Sequence, residues 1–106
     1  MRTVEEFIAI VKEENRKYNE KLLNLSPATL IDRAFEIAEW QAIYDYIEEK
    51  VIPSLEDEED MFEGFMTLEI NDPIVLIYKN ESNYDEPQWM NWDNLDDVVR
   101  DMLREF

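Results

Sequence analysis

Residues 26–52 read SPATLIDRAFEIAEWQAIYDYIEEKVI, and this stretch decides the fold that the sequence predicts. Ser26 is a favourable N-cap and Pro27 suits the first position of a helix. Pro53 follows the stretch directly and predicts that the helix ends at Ile52. No glycine or proline interrupts the residues between the two prolines. We therefore predict one long central helix over this stretch.

The apolar residues of this predicted helix change side part-way along it. At 100° per residue, an early apolar set shares one face and a late set lies on roughly the opposite face. The early set is Leu30, Ile31, Ala34, Phe35, Ile37, Ala38 and Ala42, and the late set is Trp40, Ile43, Tyr44, Ile47 and Val51. Because each set needs its own neighbours, the pattern predicts a helix at the centre of a bundle.

The N-terminal segment predicts a first helix over residues 4–24. Thr3 and Glu6 have the spacing of a capping box, and an apolar stripe follows them along the segment. Asn15 interrupts the stripe, which we interpret as a buried, hydrogen-bonded amide. The short link before Ser26 predicts that this helix runs antiparallel to the central one.

The second half of the chain predicts shorter elements. Ser54 is positioned to cap a third helix over residues 55–63, and Gly64, the single glycine, is expected to end it. Residues 80–92 predict a long loop. Asp93 is then expected to cap the last helix.

Residues 65–79 leave two alternatives open. Asn71, Asp72 and Pro73 are suited to the loop of a β-hairpin, and the β-branched residues after them favour strand. Alternatively, Asp72 caps a fourth helix that begins at Pro73. The overall prediction is a single all-α domain, a small bundle of four to five helices around the long central helix, with α+β as the alternative.

Composition excludes several classes of function. The 106 residues contain no histidine, no cysteine and one glycine, so triad catalysis, tight transition-metal binding and glycine-rich phosphate loops lack their residues. Of the net charge of −17, −15 lies after Tyr44, so direct binding to nucleic acid or an anionic membrane is not expected. From this composition we expect no enzymatic activity, metal or cofactor. The apolar run at residues 7–11 is too short for a signal peptide, so we also expect a cytoplasmic protein.

An acidic run supplies the first candidate binding surface. If the run is helical, eight residues span about 12 Å, which gives roughly one charge per 2 Å against about one per 1.7 Å in duplex DNA. That density favours nucleic-acid mimicry, whereas the alternative is a solvated acidic turn that serves solubility. The acids are Glu56, Asp57, Glu58, Glu59, Asp60 and Glu63.

The loop and the last helix supply two further candidate surfaces. Aromatic residues in a loop are typical of interface anchors, although two tryptophans can also fold back onto the core. Acids at a spacing of four residues form an outward ridge on the last helix, or simply a solvated face. The loop residues are Tyr84, Asp85, Glu86, Trp89 and Trp92, and the ridge residues are Asp97, Asp101 and Glu105.

Two segments carry a resemblance to a known family. Residues 18–38, YNEKLLNLSPATLIDRAFEIA, and residues 71–78, NDPIVLIY, resemble a family of small uncharacterised bacterial proteins that is frequent in phages and mobile elements. The resemblance implies an all-helical fold and favours a helix within residues 65–79, but the family has no assigned activity to transfer. The chain departs from the family in its acidic run and its tryptophan-bearing loop.

Two hypotheses of function follow. The first is a phage or mobile-element protein that binds and blocks a basic, nucleic-acid-handling host protein such as a nuclease, as DNA mimics and anti-CRISPR-like inhibitors do. The second is a scaffold or regulatory module that pairs through an apolar surface with itself or with another helix, its acids serving solubility. The sequence does not predict the oligomeric state.

Overall fold

The computed structural model describes residues 2–68, 70–84 and 86–105, and within these ranges the chain is helical without a β-strand. The predicted all-α fold is confirmed. The α-helices are α1 (Val4–Leu23), α2 (Pro27–Asp32), α3 (Ala34–Tyr46), α4 (Ile52–Glu56), α5 (Gly64–Thr67), α6 (Pro73–Glu81) and α7 (Trp92–Arg104), with a π-helix at Ile47–Val51 and a 3₁₀-helix at Asp60–Phe62. In the part of the chain so described, no helix has the length and apolar character needed to cross a bilayer.

Helix α1 follows its prediction. The Thr3 hydroxyl accepts the Glu6 N–H at 3.2 Å, and the Glu6 carboxylate accepts the Thr3 N–H at 3.3 Å, which completes the capping box. Its N-terminal end shares a cavity with Leu55, while Tyr18 near its other end stacks on Trp40. These contacts confirm that α1 runs antiparallel to the path from α3 to α4.

The central helix differs from its prediction in two places. The backbone at Arg33 (φ −100°, ψ 9°) leaves helical geometry and separates α2 from α3. At the other end the helix does not stop at Ile52 but continues through Pro53 to Glu56. A proline ring collides with the carbonyl four residues earlier and donates no hydrogen bond. The preceding π-helix accommodates it by widening the backbone, so that Ile52 N–H donates to Ile47.

The late apolar face of this region is mostly buried, whereas the early apolar face is not. Most of the late set is buried in the core, including Ile43, Ile47 and Val51, which are fully enclosed. The expectation that the early set is also covered by neighbours holds only in part, since none of its residues is fully buried and Phe35 meets only the edge of the Trp89 ring. Ile31 remains 76% exposed and Phe35 57% exposed. The early face therefore lies at the surface of the molecule.

The predicted third helix over residues 55–63 is also wrong. Helix α4 ends at Glu56, and Glu58 adopts a left-handed conformation (φ 58°) that turns the chain into the 3₁₀-helix. Gly64 begins α5 instead of ending a helix. A β-carbon at Gly64 would lie 3.1 Å from the Leu103 side chain, so this glycine permits the close approach of α7.

The two alternatives for residues 65–79 resolve in favour of helix. Pro73 begins α6, as the helical alternative required, and α6 packs between α3 and α7. The last helix begins at Trp92, and its cap is Asn91, whose side chain accepts the Asp93 N–H at 2.9 Å. The expected Asp93 cap is therefore wrong. The asparagine amide oxygen accepts the N–H of Asp93 itself, so the helix begins two residues earlier than predicted.

Candidate functional site

The acidic run forms the rim of a surface cavity, which we call the acidic depression. The cavity has a volume of about 340 Å³ and an apolar floor of Val4, Leu55 and Met66. Four carboxylates of the run stand around this floor, and the whole run is exposed. Within the described residues, none of its carboxylates forms an ion pair with a lysine or arginine of the chain. The four rim residues are Glu58, Glu59, Asp60 and Glu63.

Local backbone bonds and one buried ring hold this segment in place. The Glu59 N–H donates to the Ser54 carbonyl at 2.9 Å, which closes the turn after α4. Phe62 is fully buried, and its ring packs edge-on against Tyr46 at 6.1 Å. Because Phe62 anchors the 3₁₀-helix to the core, the flanking acids point outward. Among the residues that the structure describes, no three acidic side chains converge closely enough to hold a metal ion.

The acidic ridge on α7 is separate from the acidic depression. Arg100 pairs with Asp97 at 2.9 Å, and Arg104 lies 3.7 Å from Asp101, so two of the ridge carboxylates are partly neutralised. Leu103 of the same helix contacts the Gly64 side of the molecule. Asp101 and Glu105 are each two positions away from Leu103 and therefore lie about 160° around the helix from it. The fold therefore does not unite the two acidic groups on one face.

The polar loop residues have different surroundings. Tyr84 lies against the ridge, where burial and the neighbouring Asp101 carboxylate raise the pKa of its phenol. Glu86 is exposed. Asp85, the remaining acidic residue proposed for this loop, lies outside the described residues.

Both loop tryptophans fold back onto the protein. Trp89 is half-buried and packs edge-on against Phe35, with ring centroids 5.5 Å apart. Trp92 is half-buried against Tyr46 at 5.9 Å and begins α7. The fold-back interpretation of these residues is confirmed. An anchor formed by either tryptophan would first have to leave these contacts.

A buried pair of carboxyl groups joins α3 to α6. Glu39 and Glu81 are 7% and 4% exposed and hydrogen-bond to each other, and the Tyr78 hydroxyl lies near Glu39. Burial, followed by the hydrogen bond and the charge of Glu81, raises the pKa of Glu39 to about 8. Glu81 in turn accepts the Gln88 N–H at 2.7 Å. This pair therefore fastens the loop after α6 to the helices beneath it.

A second inward-facing carboxylate caps α6 from another helix. The two carboxylate oxygens of Glu14 accept the Ile74 and Val75 N–H groups at 2.7 and 2.9 Å, whereas the Asp72 side chain makes no cap bond. Burial raises the pKa of Glu14 to about 7 despite these two bonds. Since both oxygens of Glu14 are engaged by backbone, its role is to tie α1 to the start of α6.

A groove of about 560 Å³ opens beside this cap between α1 and α6. Its floor is the stacked pair Tyr18 and Trp40, with ring centroids 3.9 Å apart. The indole N–H of Trp40 donates to Asn15 at 3.0 Å, which confirms that this amide is hydrogen-bonded, although it is half-buried and not buried as predicted. The ring stack and this hydrogen bond therefore hold α1 on α3.

The sequence analysis did not identify the buried acids, although their register contains a signal for them. Glu39 precedes Ile43 and Tyr46 at the spacing of one helical face, and these two residues are fully buried. Glu81 likewise follows Ile74 and Ile77, both fully buried. An acid at a core position of an apolar stripe predicts a paired or hydrogen-bonded carboxyl.

Comparison of the chain with protein-family models, curated proteins and solved structures found no match. The resemblance of residues 18–38 and 71–78 to a mobile-element family therefore stays a prediction. What the described residues can do follows from their geometry and charge.

Proposed function

We propose that this chain is a non-enzymatic binding protein that occupies a basic, nucleic-acid-binding surface of another protein in the cytoplasm. The acidic depression is the observation that carries the proposal. A lysine or arginine side chain has an aliphatic stem and a cationic head. The apolar floor suits such a stem, and the four rim carboxylates suit the head.

The distribution of charge supports the same kind of partner. The chain carries a net charge of −17, so its field repels nucleic acids and attracts basic grooves, which accelerates encounter with such proteins. The run is a turn followed by a 3₁₀-helix, so a straight rod of evenly spaced charges is not part of the proposal. The proposed mimicry is of phosphate charge, which competes with the nucleic acid for the same basic side chains. We also propose a phage or mobile-element origin, which the resemblance of two segments supports.

Competition with DNA tests the proposal. The probes are purified DNA-cleaving nucleases with basic substrate grooves, and the readouts are the Kd of the protein and its inhibition of cleavage at 50 and 200 mM NaCl. We expect inhibition that DNA relieves, with affinity falling at least about tenfold between the two salt concentrations. Binding that salt does not weaken would contradict the proposal.

Two charge-matched variants locate the contact. One triple variant removes three carboxylates at the acidic depression, and the other removes three at the ridge. We expect the first to lower affinity and flatten the salt dependence, and the second to have a smaller effect. Equal losses in both variants would mean that net charge alone attracts the partner, and the depression would then have no specific role. The substitutions are Glu58→Gln, Glu59→Gln and Asp60→Asn in the first variant, and Asp97→Asn, Asp101→Asn and Glu105→Gln in the second.

A further inference from the structure

A shallow cavity lies where α3 and the end of α6 meet the loop that follows α6, and it reaches the buried carboxyl pair from the surface. The cavity has a volume of about 220 Å³, several times the roughly 30 Å³ that one water molecule occupies in the liquid. Carboxyl groups and aromatic rings line it together, and we call it the loop cavity. The carboxyl groups are those of Glu39, Glu81 and Glu86, and the rings are those of Phe35, Tyr84 and Trp89.

We propose that the loop cavity binds an organic ammonium cation, the group that alkylamines and lysine side chains carry. The inference stands independently of the proposed function, because it uses none of the residues of the acidic depression. It gives a ligand to the aromatic residues of the loop, which the proposed function does not use.

The charge of the ligand follows from the carboxyl pair. Glu39 and Glu81 are 7% and 4% exposed, so each side chain is more than nine-tenths buried. Within the described residues, the ion pairs of the chain involve neither of them, and no lysine or arginine lines the loop cavity. Buried carboxylates normally have a cationic partner. The loop cavity therefore lacks a positive charge that a ligand can supply.

The aromatic rings select an organic cation over a metal ion. A cation is attracted to the faces of aromatic rings, and the rings also cover the alkyl part of an organic ammonium group. Phe35 is 57% exposed and Tyr84 is 39% exposed, so both side chains remain accessible to a ligand. The Trp89 ring stands at 77° to the Phe35 ring, with centroids 5.5 Å apart, so the two rings form adjoining walls. A metal ion would need several oxygen ligands at once, and no three acidic side chains of the described residues provide them.

Binding should be coupled to the loss of a proton. Burial, followed by the hydrogen bond and the charge of Glu81, raises the pKa of Glu39 to about 8, so this carboxyl is protonated at neutral pH. A bound cation favours the ionised form, and affinity should therefore rise as the pH passes through about 8. Burial raises the pKa of the Tyr78 and Tyr84 phenols above the ordinary value of 10, so neither ionises in this range. The titratable groups that face Glu39 or the cavity are Glu36, Tyr78, Glu81, Tyr84 and Glu86.

An NMR titration tests the inference on the full chain. The probe is butylammonium chloride, and the readout is the indole N–H signal of Trp89, assigned by its loss in Trp89→Phe. At pH 8.5 we expect a saturable shift with a Kd on the order of 5 mM. The controls are NaCl at the same concentration and 1-butanol, which has the same alkyl chain without the charge. A Trp89 signal that responds to butylammonium no more than to either control would overturn the inference.

The pH profile of the wild-type protein provides a second measurement. The Kd for butylammonium should fall about three- to tenfold between pH 6.5 and pH 9, because the probe remains charged while Glu39 loses its proton. Glu39→Gln should remove this dependence. A wild-type Kd that does not change with pH would refute the inference, since the probe would then not reach the carboxyl pair.

Matched variants locate the site. Glu81→Gln removes a carboxyl group from the loop cavity and should raise the Kd at least fivefold, with circular dichroism to verify the fold. Glu49→Gln removes one exposed carboxylate elsewhere and should leave the Kd unchanged. The triple variant at the acidic depression should leave it unchanged as well, which separates this inference from the proposed function. Equal losses in Glu81→Gln and Glu49→Gln would contradict the inference, because overall charge would then attract the probe.

A last titration distinguishes the two sources of the ammonium group. Nα-acetyl-lysinamide presents the group as a protein does, whereas butylammonium presents it as a free amine. Tighter binding of the lysine derivative assigns the loop cavity to a lysine side chain of a partner protein. Tighter binding of butylammonium assigns it to a free alkylamine.

Discussion

The buried carboxyl pair predicts an unusual pH dependence of stability. Glu39 has a pKa of about 8 in the folded protein, against an ordinary value of 4.5. The folded state therefore retains a proton that the unfolded state releases between these two values. As a consequence, the contribution of this site to the free energy of unfolding is largest below pH 4.5, falls as the pH rises, and levels off above pH 8.

The size of the effect follows from the two pKa values. A carboxyl with a pKa of about 8 instead of 4.5 would destabilise the folded state by about 5 kcal/mol at high pH if nothing screened it. A shallow cavity reaches Glu39 and Glu81 from the surface. Water in this cavity screens the charges, so we expect a loss of about 2 kcal/mol.

The substitution Glu39→Gln removes the titration and keeps the shape of the side chain. Its amide can donate a hydrogen bond to Glu81 at every pH. We expect the variant to match the wild-type stability within about 0.5 kcal/mol at pH 4.5 and to be more stable by about 2 kcal/mol at pH 8.5. Urea unfolding followed by tryptophan fluorescence at both pH values measures this difference, with an unchanged m-value as the check on two-state behaviour.

A matched control isolates the effect from the change in net charge. Glu49→Gln removes one carboxylate from an exposed position, and we expect it to change stability by less than about 0.5 kcal/mol at either pH. The reasoning is refuted if Glu39→Gln is no more stable than the wild-type protein at pH 8.5. An equal gain from Glu49→Gln would refute it as well, because relief of overall charge repulsion would then explain the result.

Two further predictions concern the contacts that join the helices. Glu14→Ala leaves the first N–H groups of α6 without an acceptor and should reduce the free energy of unfolding by about 2–3 kcal/mol. As a control, Glu13→Ala removes only an exposed ion pair and should reduce it by less than about 0.5 kcal/mol in the same urea titration. Gly64→Ala should reduce the free energy of unfolding by about 1 kcal/mol. The new methyl group crowds the Leu103 side chain, and the cost of this crowding exceeds the gain in helix propensity. A double-mutant cycle with Leu103→Ala should show coupling between these two positions, and additive effects would contradict the proposed crowding.

Local signals in the sequence were sufficient where the deciding interaction is local. The capping box of α1 lies within four residues. At Pro73 the local signals left helix and hairpin open, and the start of α6 was decided by the structure. The late apolar face of the central helix was also predicted correctly, since Ile43 and Ile47 follow a clear helical period.

Local signals misled where the chain could adapt. Pro53 normally ends a helix, but the π-helix before it absorbs the steric conflict, and a single sequence does not show this adjustment. Acidic residues near the start of a segment suit the first turn of a helix, which favoured a helix after Ser54. The left-handed turn at Glu58 instead allows Phe62 to reach the core, and this burial overrides the local preference.

The candidate site divides in the same way. Composition and charge identified the acidic run, because a run of acidic residues is visible in the sequence without knowledge of its neighbours in the fold. The cavity that the run surrounds was not predictable, since Val4 and Met66 come from distant parts of the chain. The buried pair of Glu39 and Glu81 likewise depends on how α3 meets α6, a relation that no local pattern encodes.

The sequence by itself determined that the first, central and last segments are helical, which side of these helices is apolar, and that the negative charge lies mainly in the second half. Only the tertiary structure decided which apolar sides are covered. Periodicity shows that a side can be buried, but burial requires another element to arrive there. Ile31 stays 76% exposed, and Phe35 packs against the edge of Trp89 yet stays 57% exposed, so much of the surface that looked like core in the sequence is open to solvent.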